Sequence, residues 1–236
     1  DADCIPTSNQ WIRQMTSCFL TNTSVVLGYG AYEKIRGSYL NKLIRFETLL
    51  TALQYFSYAK SGKPYMGVGR NLAYRKEAFI QAGGFEKHSH IKSGDDDLFV
   101  SQIGNSRNTE ICDDPAAFII SKPHINLKDW IKQKRRHIST ATFYKPIHQF
   151  FLGLFYASQL LFWLLAILLL TFSLNWQFVI LLITIRFIAQ YIIISKSSIK
   201  LSEQDLILFS PIYDFLLVLI QLGLFVSNLI KKPKHW

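Results

Sequence analysis

Residues 127–172 read LKDWIKQKRRHISTATFYKPIHQFFLGLFYASQLLFWLLAILLLTF, a basic amphipathic stretch that runs straight into an apolar one. In the first part, Gln133, Arg136 and His137 fall at i, i+3 and i+4, so one helix face presents all three, with Trp130 one turn earlier. In the second, Phe150–Phe172 carries no charge, and from Pro146 to Ser195 the only charged residue is Arg186. At 1.5 Å per residue, about 20 apolar residues cross a hydrocarbon core of about 30 Å. Three candidate spans result, roughly 148–171, 176–194 and 206–230. The chain is expected to be an integral membrane protein with a mixed α/β part before the spans.

Charge placement gives an orientation. The net charge of +10 is concentrated before the first span: residues 1–145 hold 20 Lys/Arg against 13 Asp/Glu, and Lys122–Lys145 holds seven basic residues with the single acid Asp129. The positive-inside rule then places the soluble part in the cytoplasm. A basic segment beside a bilayer attracts anionic headgroups or a phosphate-bearing substrate. Lys132, Lys134 and Arg135 are assigned to headgroups on that ground. Nucleic acid is excluded as a partner because no recognition-module pattern accompanies the charge. Three widely spaced cysteines without C-x-x-C read as reduced thiols, not a disulfide frame or a zinc site.

The pattern before the spans alternates strands and helices. A helix capped by Ser8, a buried strand over 24–29 ending in a turn at Gly28-Tyr29-Gly30, and a long helix over 38–60 come first. A strand over 66–75, a short helix over 76–82, a helix over 98–103, strands over 109–112 and 117–120, and the basic helix 127–140 follow. The domains are therefore 1–122, an interface helix within 123–145, and membrane helices within 146–236. Two spans leave residues 195–205 on the side of the soluble part. A complete third span would put Lys231, Lys232 and Lys234 on the wrong side, so Pro211 and Asp214 are expected to break that segment into a re-entrant or interfacial hairpin. The chain opens on Asp1 without Met, which points to the C-terminal part of a longer protein.

Two acidic groups carry the expected chemistry. Asp1 and Asp3, one residue apart, can share a hard cation such as Mg²⁺ or Mn²⁺, whose other ligands would be diphosphate oxygens and water. Alone, the same pair reads as a turn. Asp95-Asp96-Asp97 after Gly94 places three carboxylates side by side, and their repulsion raises at least one pKa. The competing reading is a helix N-terminus, where Asp favours the dipole and caps free N–H groups. Arg136 offers a fork suited to diphosphate oxygens, and Trp130 a ring that could stack on a sugar.

In this order the motifs resemble those of family-2 membrane glycosyltransferases, the group that includes cellulose, chitin and hyaluronan synthases and ceramide glucosyltransferases. The resemblance rests on Asp1-Ala2-Asp3, Asp95-Asp96 and Gln133-Lys134-Arg135-Arg136-His137. The stretch Gly67–Arg75 and Gly83-Gly84-Phe85 add to it. It implies the C-terminal part of a GT-A, Rossmann-like catalytic domain followed by a helical transmembrane region. It further implies a nucleotide-sugar donor, a lipid-linked or glycan acceptor, and a Mg²⁺ or Mn²⁺ cofactor on Asp1 and Asp3. Asp96, beside Asp95, would be the base of an inverting transfer. Gln133, Arg136, His137 and Trp130 would hold the diphosphate or the acceptor. His137 stands where the family often has Trp, which favours single transfer over polymerisation. The alternative is a non-catalytic membrane scaffold or a transport or binding subunit on the same fold. Transporters, however, usually keep functional charges at membrane depth, where this chain has only Arg186 and Asp214.

Overall fold

The computed structural model describes residues 2–91 and 93–231. Its soluble part contains β1 (Ile5–Pro6), α1 (Trp11–Ser17), β2 (Val25–Gly28), β3 (Gly30–Tyr32), α2 (Tyr39–Lys60), β4 (Leu72–Tyr74), α3 (Lys76–Gln81), α4 (Asp95–Ile103), β5 (Thr109–Cys112), β6 (Ile119–Ser121) and α5 (Leu127–Thr140). Three long helices follow: α6 (Pro146–Thr171), α7 (Trp176–Lys200) and α8 (Ser210–Ile230). Each is long and apolar enough to cross a membrane. Cys4, Cys18 and Cys112 are free thiols.

The strands form two small mixed sheets. One has the order β4-β2-β5, with β2 antiparallel to β4 and parallel to β5; the other is β1-β6-β3, with β6 antiparallel to β1 and parallel to β3. The expected turn at Gly28-Tyr29-Gly30 does not form. The chain runs on from β2 into β3 and changes sheets at Tyr29. The reason lies above Gly28, where a Cβ would stand 2.4 Å from Asn71 Nδ2. With only hydrogen there, the Asn71 amide donates to the carbonyls of Tyr29 (2.9 Å) and Ala117 (2.8 Å) and accepts from Trp11 Nε1 (3.1 Å). One buried amide thus bridges the two sheets. The expected strand over 66–75 is shorter for the same reason, since Gly69–Asn71 winds into a 3₁₀ turn that delivers Asn71.

Helix α2 backs the sheets. Ser38 caps it by accepting from Asn41 N at 3.1 Å, and its buried face carries Ile44, Leu49, Ala52, Tyr55 and Phe56. One core runs from Val25, Leu27 and Leu98 through this face and Trp130 to Ile194, Leu201, Leu206, Tyr213 and Leu217. The soluble part and the apolar helices therefore share a core.

The segment between α7 and α8 is clasped to α2. Arg45, 2% exposed, donates from Nε to Glu203 Oε2 (2.9 Å) and from Nη1 to Asp205 Oδ2 (2.9 Å), and Tyr29 O–H donates to Glu203 Oε1 (3.3 Å). Lys34 adds a bond to the Ser202 carbonyl at 2.6 Å. A buried guanidinium between two carboxylates is compensated only because both are present.

Helix α8 corrects the expected break. It is continuous. Pro211 sits in its first turn, where a missing N–H costs nothing, and Asp214 pairs with Arg186 at 2.7 Å. Its buried stripe is Ser210, Tyr213, Leu217 and Leu224. Near one end Tyr213 packs on Phe46 of α2, ring centres 5.4 Å apart. At the other, Arg135 of α5 donates to Asn228 Oδ1 (2.9 Å), and Asn228 Nδ2 returns a bond to the Arg135 carbonyl (3.0 Å). Lys134 pairs with Glu47 at 2.5 Å, so these two anchor points belong to helices already joined to each other. Both ends of α8 rest on the soluble part.

Candidate active site

A cavity of about 590 Å³ opens between the sheets, α2, α4 and α5. Its walls include Asp3, Asp95, Asp96, Asp97, Gln133, Arg136 and His137, residues up to 134 positions apart in sequence. The expected site residues are thus brought together, with two qualifications. Asp1 lies outside the described residues. Trp130 is 1% exposed in the shared core and does not line the cavity, so it cannot serve as an open stacking surface here.

Local geometry explains the acidic cluster. Gly94, with φ of 77°, adopts a left-handed conformation that a side chain would strain, and turns the chain into α4. A Cβ there would also stand 2.2 Å from Thr140 Cγ2, so the start of α4 abuts the end of α5. The three carboxylates of the first α4 turn then separate by environment. Asp95 is exposed. Asp96 is half-buried and held by backbone: Oδ2 accepts from Gly69 N at 2.6 Å and Oδ1 from Asp97 N at 2.9 Å. Burial raises its pKa, those N–H bonds oppose the rise, and Asp95 adds to it.

Asp97 is pushed well above the usual carboxylate range, by burial first and then by the charge of Asp96. Tyr144 O–H donates to its Oδ2 at 2.8 Å, and Tyr144 packs edge-on against Tyr65. Adjacent carboxyl groups with separated proton affinities mark acid–base assignments. Both are shifted towards the protonated form, Asp97 the further, while the backbone N–H bonds at Asp96 hold its rise in check.

The basic face is also sorted. Lys134 pairs with Glu47 on the cavity wall, their side chains 16% and 15% exposed, and Arg135 binds the end of α8. Neither is a free headgroup ligand, which corrects that expectation; Lys132 is exposed. Burial in the cleft, followed by the charges of Lys134, Arg136, Arg70 and His124, holds His137 well below the usual histidine range. The residue as a whole is exposed, which limits the effect of burial, and a lowered value leaves the ring an uncharged donor and acceptor at neutral pH.

Arg70 fixes the far wall. It donates to the carbonyls of Ala31 (3.0 Å) and Gly30 (2.9 Å) and to Ser121 Oγ, and its guanidinium lies 4.2 Å from the Tyr32 ring centre. Among the described residues, no group of three His, Cys, Asp or Glu could hold a metal ion. Asp3, the described member of the acidic pair, is exposed on the cavity wall. Tyr144 and Glu47 were not marked out by sequence, and Asp97 was given no role of its own. Only Asp97 carried a signal, as the third acid of its run.

The chain matches the family described as Glycosyl transferase family group 2 over residues 9–193, and it belongs to that family. The match takes in the acidic cluster, α5, α6 and most of α7; Asp3 precedes it and α8 follows it. Membership supports glycosyltransferase activity in general. A comparison with curated proteins gave no match.

Proposed function

We propose that the protein is a membrane-bound, inverting glycosyltransferase that moves a sugar from a nucleotide-sugar donor to the hydroxyl of a lipid-linked or polysaccharide acceptor. One observation carries this reading. A single cavity gathers Asp3, the Asp95–Asp97 run and the Gln133, Arg136, His137 face of α5 beside apolar helices.

In the proposed step the ionised Asp96 takes the acceptor hydroxyl proton. The freed oxygen attacks the anomeric carbon opposite the leaving group, and the bond to the diphosphate breaks, so the sugar inverts and the proton stays on Asp96. Gly69 N–H aims the base, and Tyr144 keeps Asp97 in place beside it. Gln133 and Arg136 hold diphosphate oxygens, and neutral His137 orients a hydroxyl. Asp3, with Asp1, would hold Mg²⁺ or Mn²⁺, which neutralises charge on the departing diphosphate.

The catalytic part faces the cytoplasm of a cell whose inner membrane houses α6 and α7. Both ends of α8 touch the soluble part, which favours α8 lying along the membrane face. That arrangement keeps Lys231 on the basic side.

Nucleotide diphosphate release by the full-length protein in nanodiscs, with a panel of nucleotide sugars and Mg²⁺ or Mn²⁺, tests the reading. Asp96→Asn should lower kcat by about 10²–10⁴-fold with little change in donor KM. No release from any donor by the folded wild type would move the assignment to a scaffold or transport subunit.

A further inference from the structure

A second cavity, of about 630 Å³, lies between the end of α5, the start of α6 and the end of α8. Phe143, Leu152, Phe225 and Leu229 line it, the last 86% exposed, so its mouth opens on the apolar side of the molecule. Three residues, Ser93, Arg136 and Thr140, line this cavity and the active-site cavity alike. The partition is thin. Thr140 Oγ1 donates to the Ser93 carbonyl at 3.3 Å, so the junction itself is polar; beyond it the walls are chiefly apolar, with His90, Thr142, Gln149 and Asn228 among them.

We infer that this cavity holds the hydrocarbon tail of the acceptor, which is a lipid carrying its reactive hydroxyl in a polar head. The inference rests on the transferase reading above. Continuity sets the register: a tail lying against α6 and α8 brings its head past Arg136 and Thr140 to the side where Asp96 sits. A polysaccharide fits this lining less well, because most of the wall surface is apolar and would leave many of its hydroxyls without partners. An ordinary membrane lipid matches the walls but has no reason to favour the junction over bulk bilayer.

Gly153 supplies the test. It lines the cavity from α6 and not the active-site cavity, and a Cβ there meets nothing within 4 Å, so a larger side chain has room on this wall. Leu is also a better helix former than Gly, so Gly153→Leu is expected to fold. The probe is a photoreactive long-chain alkyl glycoside, with wild type and Gly153→Leu in phosphatidylcholine nanodiscs. In the wild type, label should map to segments 141–153 and 225–229 and be displaced by unlabelled long-chain glycoside. Gly153→Leu should lower that labelling about tenfold, the equivalent of two lost methylene contacts. In transfer assays it should raise KM for long-chain glycosides while leaving methyl glycoside unchanged.

Labelling that survives the substitution, or that phosphatidylcholine displaces as well as glycoside does, overturns the inference. Labelling as expected without nucleotide release from any donor refutes the transferase reading, and the acceptor role with it.

Discussion

Gly69→Ala isolates the placement of the base. The Gly69 backbone is free of positive φ, so alanine is allowed there, but its Cβ would stand 2.8 Å from Asp96 Oδ2 and 3.3 Å from its Cγ. Ordinary contact begins near 3.4 Å, so the carboxylate must retreat by roughly 0.6 Å and stretch its 2.6 Å bond to Gly69 N. A misplacement of about 1 Å can cost on the order of 10²-fold in rate, so a loss of about tenfold is expected in kcat. The pH profile carries a second signature. The Gly69 N–H stabilises the ionised carboxylate, so weakening it raises the Asp96 pKa further. A step that needs ionised Asp96 is lost as pH falls, and the acid limb of kcat should therefore move to higher pH. Nucleotide release measured across pH for wild type and variant checks both effects. An unshifted acid limb, or a loss confined to donor KM, would refute the assignment of Asp96 as a base held by this backbone group.

Tyr144→Phe removes the donor to Asp97 and should raise the Asp97 proton affinity; a lowered kcat with a loss of about 1–3 kcal/mol in unfolding stability is expected. Arg45→Met strips buried Glu203 of its main partner, leaving only the Tyr29 hydroxyl and Lys34 at 3.9 Å, and should destabilise the protein by up to about 3–5 kcal/mol in thermal or denaturant unfolding. The same clasp sets an acid limit. Arg45 hydrogen bonds hold Asp205 down at about 2, so its contribution to stability is complete above the ordinary carboxylate pKa of about 4. That contribution fades as pH falls towards 2, an effect that Asp205→Asn should remove from a stability–pH curve.

The elements most legible in sequence were those with a strong period. The bounds 127–140 of α5 emerged unchanged, because Asn126 caps it and its polar and apolar faces separate cleanly. The site was legible in part, since Asp95, Asp96, Gln133, Arg136 and His137 converge as their order implied. What failed depends on partners remote in sequence. Trp130 lies one turn from Gln133, yet its indole turns into the core. Lys134 and Arg135 read as headgroup ligands because Glu47 and Asn228, which take them up, lie on other helices. Gly28-Tyr29-Gly30 looks like a turn until Asn71 is seen filling the space above Gly28.

The core shared by the catalytic part and the apolar helices constrains how the protein is made. Trp130, Ile44 and Leu49 belong to the same cluster as Ile194, Leu206, Tyr213 and Leu217, which lie late in the chain. During synthesis the soluble part emerges first, with that face uncovered, and the Arg45 side chain waits for Glu203 until α7 has been made. Packing is completed only after α6, α7 and α8 have been made. A version ended at residue 145 would carry the candidate site residues and still expose a wide apolar face, a species expected to aggregate. On the proposed reading, placing the apolar helices is a folding step for the candidate site itself, and faults in those helices should appear as lost catalysis.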